Sequence, residues 1–161
     1  MLVRLLEPWS HAYGDSKVLP TVIVFGHIAA LVFAGGLAVT IDRGTLRAAR
    51  GSPEAKSQHL VELAAAHRLV LSGLALSAVT GVLMFTADVE TFFTSPIFWT
   101  KASLIGLLLA NGYAMTRAEA AIRSAPRGDL GAWTRLRTTA LLSLVLWFAI
   151  AFAGVALVNA G

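Results

Sequence analysis

Four long apolar runs constrain this chain more than any other feature of its sequence. They lie at about 19–41, 69–87, 97–115 and 140–158, and an α-helix needs roughly 20 apolar residues to cross a hydrocarbon core about 30 Å thick. Only 14% of the 161 residues are charged, against roughly a quarter in an average soluble domain. The sequence therefore predicts a single all-α membrane domain over residues 1–161, an integral membrane antiparallel four-helix bundle.

The flanks of the runs carry helix signals. Apolar residues recur at helical spacing over residues 2–12, beside Arg4 and Glu7, and predict a short interfacial helix. Because acidic residues interrupt this segment, it does not resemble a signal peptide. Ser52 and Ser95, each followed by proline, predict helix starts, so the second helix is expected to begin well before its apolar run. Gly44 is expected to end the first helix.

The distribution of Lys and Arg predicts the orientation, because positively charged loops stay in the cytoplasm. The segments after the first and third runs hold most of these residues: Arg43, Arg47, Arg50, Lys56, Arg68, Arg117, Arg123, Arg127, Arg135 and Arg137. The opposite side carries the acidic Asp88 and Glu90 and few cations. We therefore expect a bacterial inner-membrane protein with both termini outside. Anionic headgroups account for the net charge of +4, so no nucleic-acid partner is expected.

Small residues recur every four positions on three of the predicted spans. They are Ala30, Ala34 and Ala38 on the first, Gly73, Ser77 and Gly81 on the second, and Gly106, Ala110 and Ala114 on the third. Because small residues allow membrane helices to approach closely, all three stripes predict helix contacts. Aromatic residues near 92–99 predict a belt at the outer interface.

Three polar side chains stand out inside the predicted spans, where such groups are costly and commonly functional: His27, Lys101 and Asn111. At 1.5 Å per residue, His27 lies roughly 10 Å and Lys101 roughly 7–8 Å below the outer boundary, so the two share a leaflet. Asn111 lies in the inner half. The chain has no cysteine, which excludes thiolate chemistry, iron–sulfur clusters and covalently attached haem.

Each of these side chains has two interpretations. His27 either hydrogen bonds to a neighbouring helix or serves as an axial ligand of haem b. Lys101 either extends its stem to the headgroups or supplies a second axial ligand or a cation for a haem propionate. Asn111 either bridges two helices or contributes to the cofactor site. A second axial ligand from His27 of another subunit would require a homo-oligomer.

His67 cannot share that haem with His27 in one subunit. It lies about 21 Å away along the axis, whereas two axial ligands of one iron lie only about 4 Å apart. With Asp42 and Arg68, His67 predicts a polar cluster at the cytoplasmic edge.

His11 and His59 lie outside the predicted spans and are expected to be solvated. A copper or zinc site from His59, Glu62 and His67 is not favoured, because their spacing does not keep all three on one helical face.

The chain resembles known membrane protein families over roughly residues 18–115. The chain resembles a family of small bacterial membrane proteins of unknown function in His27-Ile28, Gly35-Gly36, the segments 42–47 and 80–85, and Phe98-Trp99-Thr100-Lys101 with Asn111. More distantly, it is similar to the copper-resistance D-type membrane domain and the bacterial membrane protoporphyrinogen oxidase. That similarity implies a haem b site with His27, and with Lys101 as a candidate second ligand. The oxidase's charged motif at the start of the second span is reduced here to His67-Arg68.

The leading functional hypothesis is a haem b-binding membrane protein that transfers electrons near the outer leaflet and exchanges them with quinone or a membrane redox partner. The alternatives are an enzyme that oxidises porphyrinogen and a non-catalytic accessory subunit or copper-resistance-type transporter.

Overall fold

The chain is all-helical in the part that the computed structural model describes, residues 2–124 and 130–159. The helices are α1 (Leu2–Asp15), α2 (Val18–Ala48), α3 (Pro53–Ala87), α4 (Val89–Thr94), α5 (Pro96–Ser124) and α6 (Leu130–Asn159). The predicted helical class is confirmed, and α1 covers the predicted N-terminal helix. Arg127, counted in the predicted third loop, lies outside the described residues.

Local side-chain caps begin three of the helices. The Ser52 hydroxyl accepts a hydrogen bond from the Ala55 amide at the start of α3, and the Ser95 hydroxyl accepts one from the Phe98 amide at the start of α5. These caps satisfy amide groups that a helix leaves free in its first turn. Both predicted starts are therefore confirmed. The sequence reasoning missed α4, whose first turn is capped by the Asp88 carboxylate.

The long helices extend beyond the apolar runs. α3 begins at Pro53 rather than near 69, and α5 ends at Ser124 rather than near 115. The prediction that Gly44 ends the first helix is wrong, because α2 continues to Ala48. Gly44 instead allows α2 to pack closely against His59 of α3, because a Cβ atom at this position would lie 2.9 Å from Cε1 of His59.

Within residues 2–124 and 130–159, three helices are long and apolar enough to cross a membrane, namely α2, α3 and α6. α5 has a similar length, 29 residues, but carries Lys101, Asn111 and three charged residues near its end, and it is not among those three. Large side chains such as Phe25, Phe148 and Phe152 are exposed on the outer faces of α2 and α6. Because large apolar faces of this kind suit a lipid environment, this surface indicates a membrane protein.

Small residues hold α2 and α3 together as an antiparallel hairpin. Ala30, Ala34 and Ala38 are all buried, and a Cβ atom on Gly73 would lie only 2.8 Å from the Cβ atom of Ala34. The predicted contacts of the first two stripes are thereby confirmed. Close approach of this kind increases dispersion contacts between helices that lipid alone would not drive together.

The third small-residue stripe makes no such contact. Gly106, Ala110 and Ala114 are exposed, and a Cβ atom on Gly106 would meet nothing within 4 Å. α5 buries the opposite side, with Leu108, Asn111, Met115, Ala118 and Ile122 facing inwards. Since Gly106 and Leu108 are about 200° apart around the helix, only one of the two faces can pack against α6. The prediction for this stripe is wrong.

The four long helices lie in the order α3, α2, α6, α5. α2 packs against α3 and α6, and α6 packs against α5, whereas α3 and α5 have hardly any close backbone contact. One core cluster, around Leu63, Trp133 and Leu136, lies near the α2–α3 turn. A second, around Ala34, Leu146 and Trp147, lies at mid-length. The bundle therefore has three seams with close backbone contact and one open seam, between α3 and α5. Side chains cross the open seam near the α2–α3 turn, where Arg123 donates a hydrogen bond to the carbonyl oxygen of Leu60.

α1, α4 and a group of aromatic rings cover the other end of the bundle. Trp9 donates a hydrogen bond to the carbonyl of Leu83 at 3.1 Å, which attaches α1 to α3. Phe85, Phe92 and Phe98 form a cluster in which the Phe85 and Phe98 rings stack at 5.2 Å. The aromatic residues predicted for the outer belt therefore lie together, and they cover that end of the open seam.

The tight α2–α3 contact predicts a strong position dependence for Gly-to-Ala substitutions. Gly73→Ala is expected to lower the free energy of unfolding by roughly 1–3 kcal/mol, because its methyl group would overlap Ala34. Gly36→Ala is the matched control, since nothing lies within 4 Å of a Cβ atom at that position. Reversible unfolding in mixed micelles measures both, and equal stability of the two variants would contradict the packing.

Candidate functional site

His27 is fixed by α3 through one of its two ring nitrogens. Nδ1 lies 3.0 Å from the carbonyl oxygen of Ser77 and 3.1 Å from Oγ1 of Thr80. A carbonyl oxygen can only accept, so the first contact places the proton on Nδ1 and leaves Nε2 with its lone pair. A histidine that binds a metal through Nε2 commonly has this arrangement, because the second hydrogen bond sets the tautomer and ring orientation.

The other ring nitrogen of His27 has no hydrogen bond. Nε2 is buried, and no partner for it occurs within residues 2–124 and 130–159. Gly81 lies beside the ring, where an added Cβ atom would come to 3.4 Å from Cε1. The hydrogen bonds to α3 that one interpretation of His27 predicted are present, yet they use only half of the imidazole.

His27 and Lys101 line the same cavity, which we call the His27 cavity. It has a volume of about 310 Å³ and lies along the open seam, with Gly81 and Phe85 of α3 on one side and Phe98 and Ala102 of α5 on the other. Lys101 lies close enough to interact electrostatically with the imidazole. The position of a Cβ atom on Gly154 of α6 would be 3.5 Å from Nζ of Lys101. The structure therefore brings the two predicted residues together.

Asn111 lies elsewhere. Its side-chain amide donates a hydrogen bond to the carbonyl oxygen of Thr139 at 2.9 Å and so joins α5 to α6. The helix-bridging interpretation of Asn111 is confirmed. Asn111 does not line the His27 cavity; it lines a second cavity, farther along the same seam and nearer the α2–α3 turn.

The second cavity, which we call the Asp42 cavity, has a volume of about 370 Å³. Its polar lining includes Asp42, His67, Asn111 and Ser143, and its apolar walls include Leu63, Leu74, Leu108 and Trp147. Asp42 is only 1% exposed and lies beside Ser143 of α6, and its Oδ2 atom has no partner among the described residues. This cavity therefore contains a carboxyl oxygen that is both buried and unsatisfied.

Asp42 was placed by sequence reasoning in a polar cluster at the cytoplasmic edge. The structure buries it instead, and no ion pair with the neighbouring arginines is found within residues 2–124 and 130–159. The sequence contained a signal for the burial of Asp42, because this residue is four positions beyond Ala38 and lies on the same face as the buried alanines of α2. A carboxylate on the packing face of a membrane helix is the pattern that would have identified it.

The Asp42 cavity opens sideways between α3 and α5. Leu71, Leu109 and Tyr113 line it and are 45%, 50% and 65% exposed, respectively, so they form its rim at the outer surface of the bundle. The rim is mostly apolar. A molecule that enters here would approach from the side of the bundle rather than along its axis.

His59 was predicted to be solvated, and this is wrong. It is 5% exposed, and its Nε2 atom lies 2.7 Å from Oγ1 of Thr45. The early start of α3 at Pro53 explains the difference, because it places His59 inside a helix that faces Gly44 and Thr45 of α2. Thr45 also donates to the carbonyl oxygen of Ile41, so His59 supplies the proton in their contact. This pair connects two helices and lines neither cavity.

A metal site built from several ligands is not found in the described part of the chain. No three His, Asp or Glu side chains lie close enough to hold an ion there. His59 lies 3.9 Å from the Glu62 carboxylate, whereas His67 faces Gly112 on α5.

The fold and its two seam cavities define an all-helical protein of membrane type. Comparison with known protein families, characterised proteins and solved structures finds no match to this chain. The resemblances noted from short sequence segments therefore stay predictions.

The contact between Thr45 and His59 generates a stability prediction. Thr45→Val keeps the side-chain shape but leaves a buried imidazole N–H without a partner, so we expect the free energy of unfolding to fall by roughly 1–3 kcal/mol. Thr40→Val is the control, because Thr40 is exposed and bonds only to Gly36 of its own helix. A loss of the same size in both variants would show that the interhelical bond contributes little.

Proposed function

We propose that the chain crosses the bacterial cytoplasmic membrane four times, with both termini outside. α5 is supported as the fourth span by its length of 29 residues, about 43 Å, and by its packing along α6. The orientation is supported by the arginines near the α2–α3 turn and at the adjoining ends of α5 and α6, since positive segments stay in the cytoplasm. In this orientation the His27 cavity lies in the outer leaflet and the Asp42 cavity in the inner leaflet.

We further propose that this membrane protein binds haem b, with His27 as an axial ligand. The observation that carries this proposal is the state of the imidazole: Nδ1 is held by α3, while Nε2 is buried and unpaired in the wall of a cavity. A buried nitrogen without a partner costs roughly 1–3 kcal/mol, and coordination to iron would remove that cost. A histidine with only a structural role would not require the cavity beside it.

The residues around the His27 cavity fit a haem in their chemistry. Apart from His27, Lys101 and Ser77, its lining is apolar and includes Phe85, Phe92 and Phe98, which suits a macrocycle. The volume of about 310 Å³ is at the lower end of the range for small-molecule sites, roughly 300–1,000 Å³, so the cavity encloses only part of such a group. Haem supplies one-electron chemistry when it is bound.

The side chains of this chain have separate roles in that proposal. The Ser77 carbonyl fixes the tautomer and the orientation of the His27 ring. The phenylalanines at the end of the cavity keep water away from the imidazole. The Lys101 amine serves either as the second ligand or as a cation for a propionate group. Asn111 has no part in this site, because it lines the other cavity.

The proposal predicts an absorption spectrum. Protein purified from haem-replete cells should show a Soret band, and His27→Ala should remove most of it, because the ligand nitrogen is lost. His11→Ala is the control, since that side chain is exposed on α1. A folded wild-type protein without colour would contradict the proposal. A band that survives His27→Ala but is lost in His67→Ala would assign the haem to the Asp42 cavity.

Substitution of Lys101 distinguishes two candidates for the second ligand of the haem iron. If its amine is the second ligand, Lys101→Met should change the low-spin spectrum without altering the oligomeric state, because the thioether is a different ligand. If two copies of His27 from a homo-oligomer share the iron, the spectrum should instead disappear when the protein is made monomeric. Spectroscopy combined with light scattering measures both, and the proposed role of Lys101 fails if Lys101→Met leaves the spectrum unchanged.

A further inference from the structure

We propose that the Asp42 cavity binds a lipid-soluble quinol, with the Asp42 carboxyl as the acceptor of a ring hydroxyl. This inference concerns a different cavity from the haem proposal and different polar side chains, and it does not depend on haem at His27. His27 and Asp42 are fifteen positions apart on α2, about 22 Å along the helix axis. Quinone was first expected near the outer leaflet, and the structure favours a site at the other end of the seam.

The inference of a ligand rests on the buried carboxyl group of Asp42, which lacks a hydrogen-bond partner for one of its oxygens. Asp42 is 1% exposed and lines the cavity together with Ser143, and its Oδ2 atom is buried without a partner among the described residues. Ionised carboxylates and protonated carboxyl groups are both destabilised by burial without hydrogen bonds. A bound molecule that presents a hydrogen-bonding oxygen to Oδ2 would satisfy the group.

The surroundings select a neutral and largely apolar ligand. Leu63, Leu74, Leu108 and Trp147 form apolar parts of the wall, and the sideways mouth between α3 and α5 has a mostly apolar rim. Arg43, Arg68 and Arg117 directly follow the lining residues Asp42, His67 and Thr116 in sequence. Their charge disfavours the approach of an organic cation, the other class of ligand that a buried carboxylate could bind.

A quinol suits the unsatisfied carboxyl group and the apolar wall of this cavity in three ways. Its hydroxyl can donate to a carboxylate, and the carbonyl of the corresponding quinone can accept from a carboxyl group, so the pair matches both protonation states of Asp42. Its second oxygen lies across a flat ring, which allows it to face His67 on the α3 wall. The volume of about 370 Å³ is sufficient for a ring, while an isoprenoid tail can leave through the mouth past Leu109. The proposal concerns binding and needs no redox step.

The test is a titration of the full-length protein in phosphatidylcholine nanodiscs with decyl-ubiquinol and with decyl-ubiquinone, followed by calorimetry. Wild-type protein should bind both. Asp42→Asn keeps the size of the side chain but replaces Oδ2 with a donor, so its affinity for the quinol should fall by roughly tenfold or more. Its affinity for the quinone should change by less than about threefold, because the new amide can donate to a carbonyl.

A pair of glycine variants tests the location of the site without changing a polar group. Gly112 lines the cavity, and a Cβ atom there would meet only Cε1 of His67, at 3.9 Å, so Gly112→Leu should fill the cavity and abolish binding of both probes. Gly106→Leu is the matched control on the same helix, because Gly106 is exposed and has nothing within 4 Å of a Cβ atom. Its binding should equal that of the wild-type protein.

The outcomes separate this proposal from its alternatives. Unchanged quinol affinity in Asp42→Asn, or unchanged binding in Gly112→Leu, would overturn it even if the other variant does not fold. Tighter binding of a medium-chain diacylglycerol, lost in Asp42→Asn, would assign the cavity to a lipid hydroxyl instead. Because the haem spectrum depends on His27, a colourless protein that binds decyl-ubiquinol would reject the haem proposal alone.

Discussion

The close approach of α2 and α3 is the contact on which the rest of this structure depends. The two backbones come together where Gly73 meets Ala34, and an added methyl group would not fit between them. The same approach lets His27 reach a backbone carbonyl of α3 and lets His59 reach Thr45 of α2. Small residues therefore set the distance, and the polar contacts between these helices follow from it.

The seam between α3 and α5 is the counterpart of this tight contact. α5 is held by α6, partly through the bond from Asn111 to the Thr139 carbonyl, and it has little backbone contact with α3. Two cavities result, one towards each end of the open seam. In a soluble bundle such a seam would fill with water. Next to lipid it gives apolar molecules sideways access to the buried polar groups of α2.

Sequence periodicity predicted the helices and the α2–α3 packing because those depend on local signals and on the spacing of small residues. It failed for α5, where two faces separated by about 200° could each have packed and only the arrangement in space decided between them. Asn111 lies on the face of α5 that is buried in the bundle, whereas Gly106 lies on the face that makes no such contact. The long helices likewise extended past their apolar runs, which moved His59 from an expected loop into a packed interface. The sequence thus placed His27 and Lys101 at a similar depth, and both line one cavity, whereas the burial of Asp42 became visible only in the fold.

Two buried side-chain atoms have no hydrogen-bond partner within residues 2–124 and 130–159, Nε2 of His27 and Oδ2 of Asp42. Both belong to α2, and both residues line a cavity on the open seam. Replacing such a group with an apolar side chain of similar shape is commonly neutral or stabilising, so stability alone does not explain either residue. His59 differs from both: its residue is 5% exposed, its Nε2 atom has a partner in Thr45, and it lines neither cavity. The difference between a satisfied histidine and two unsatisfied groups beside open space is the physical reason why we propose binding roles for His27 and Asp42 and not for His59.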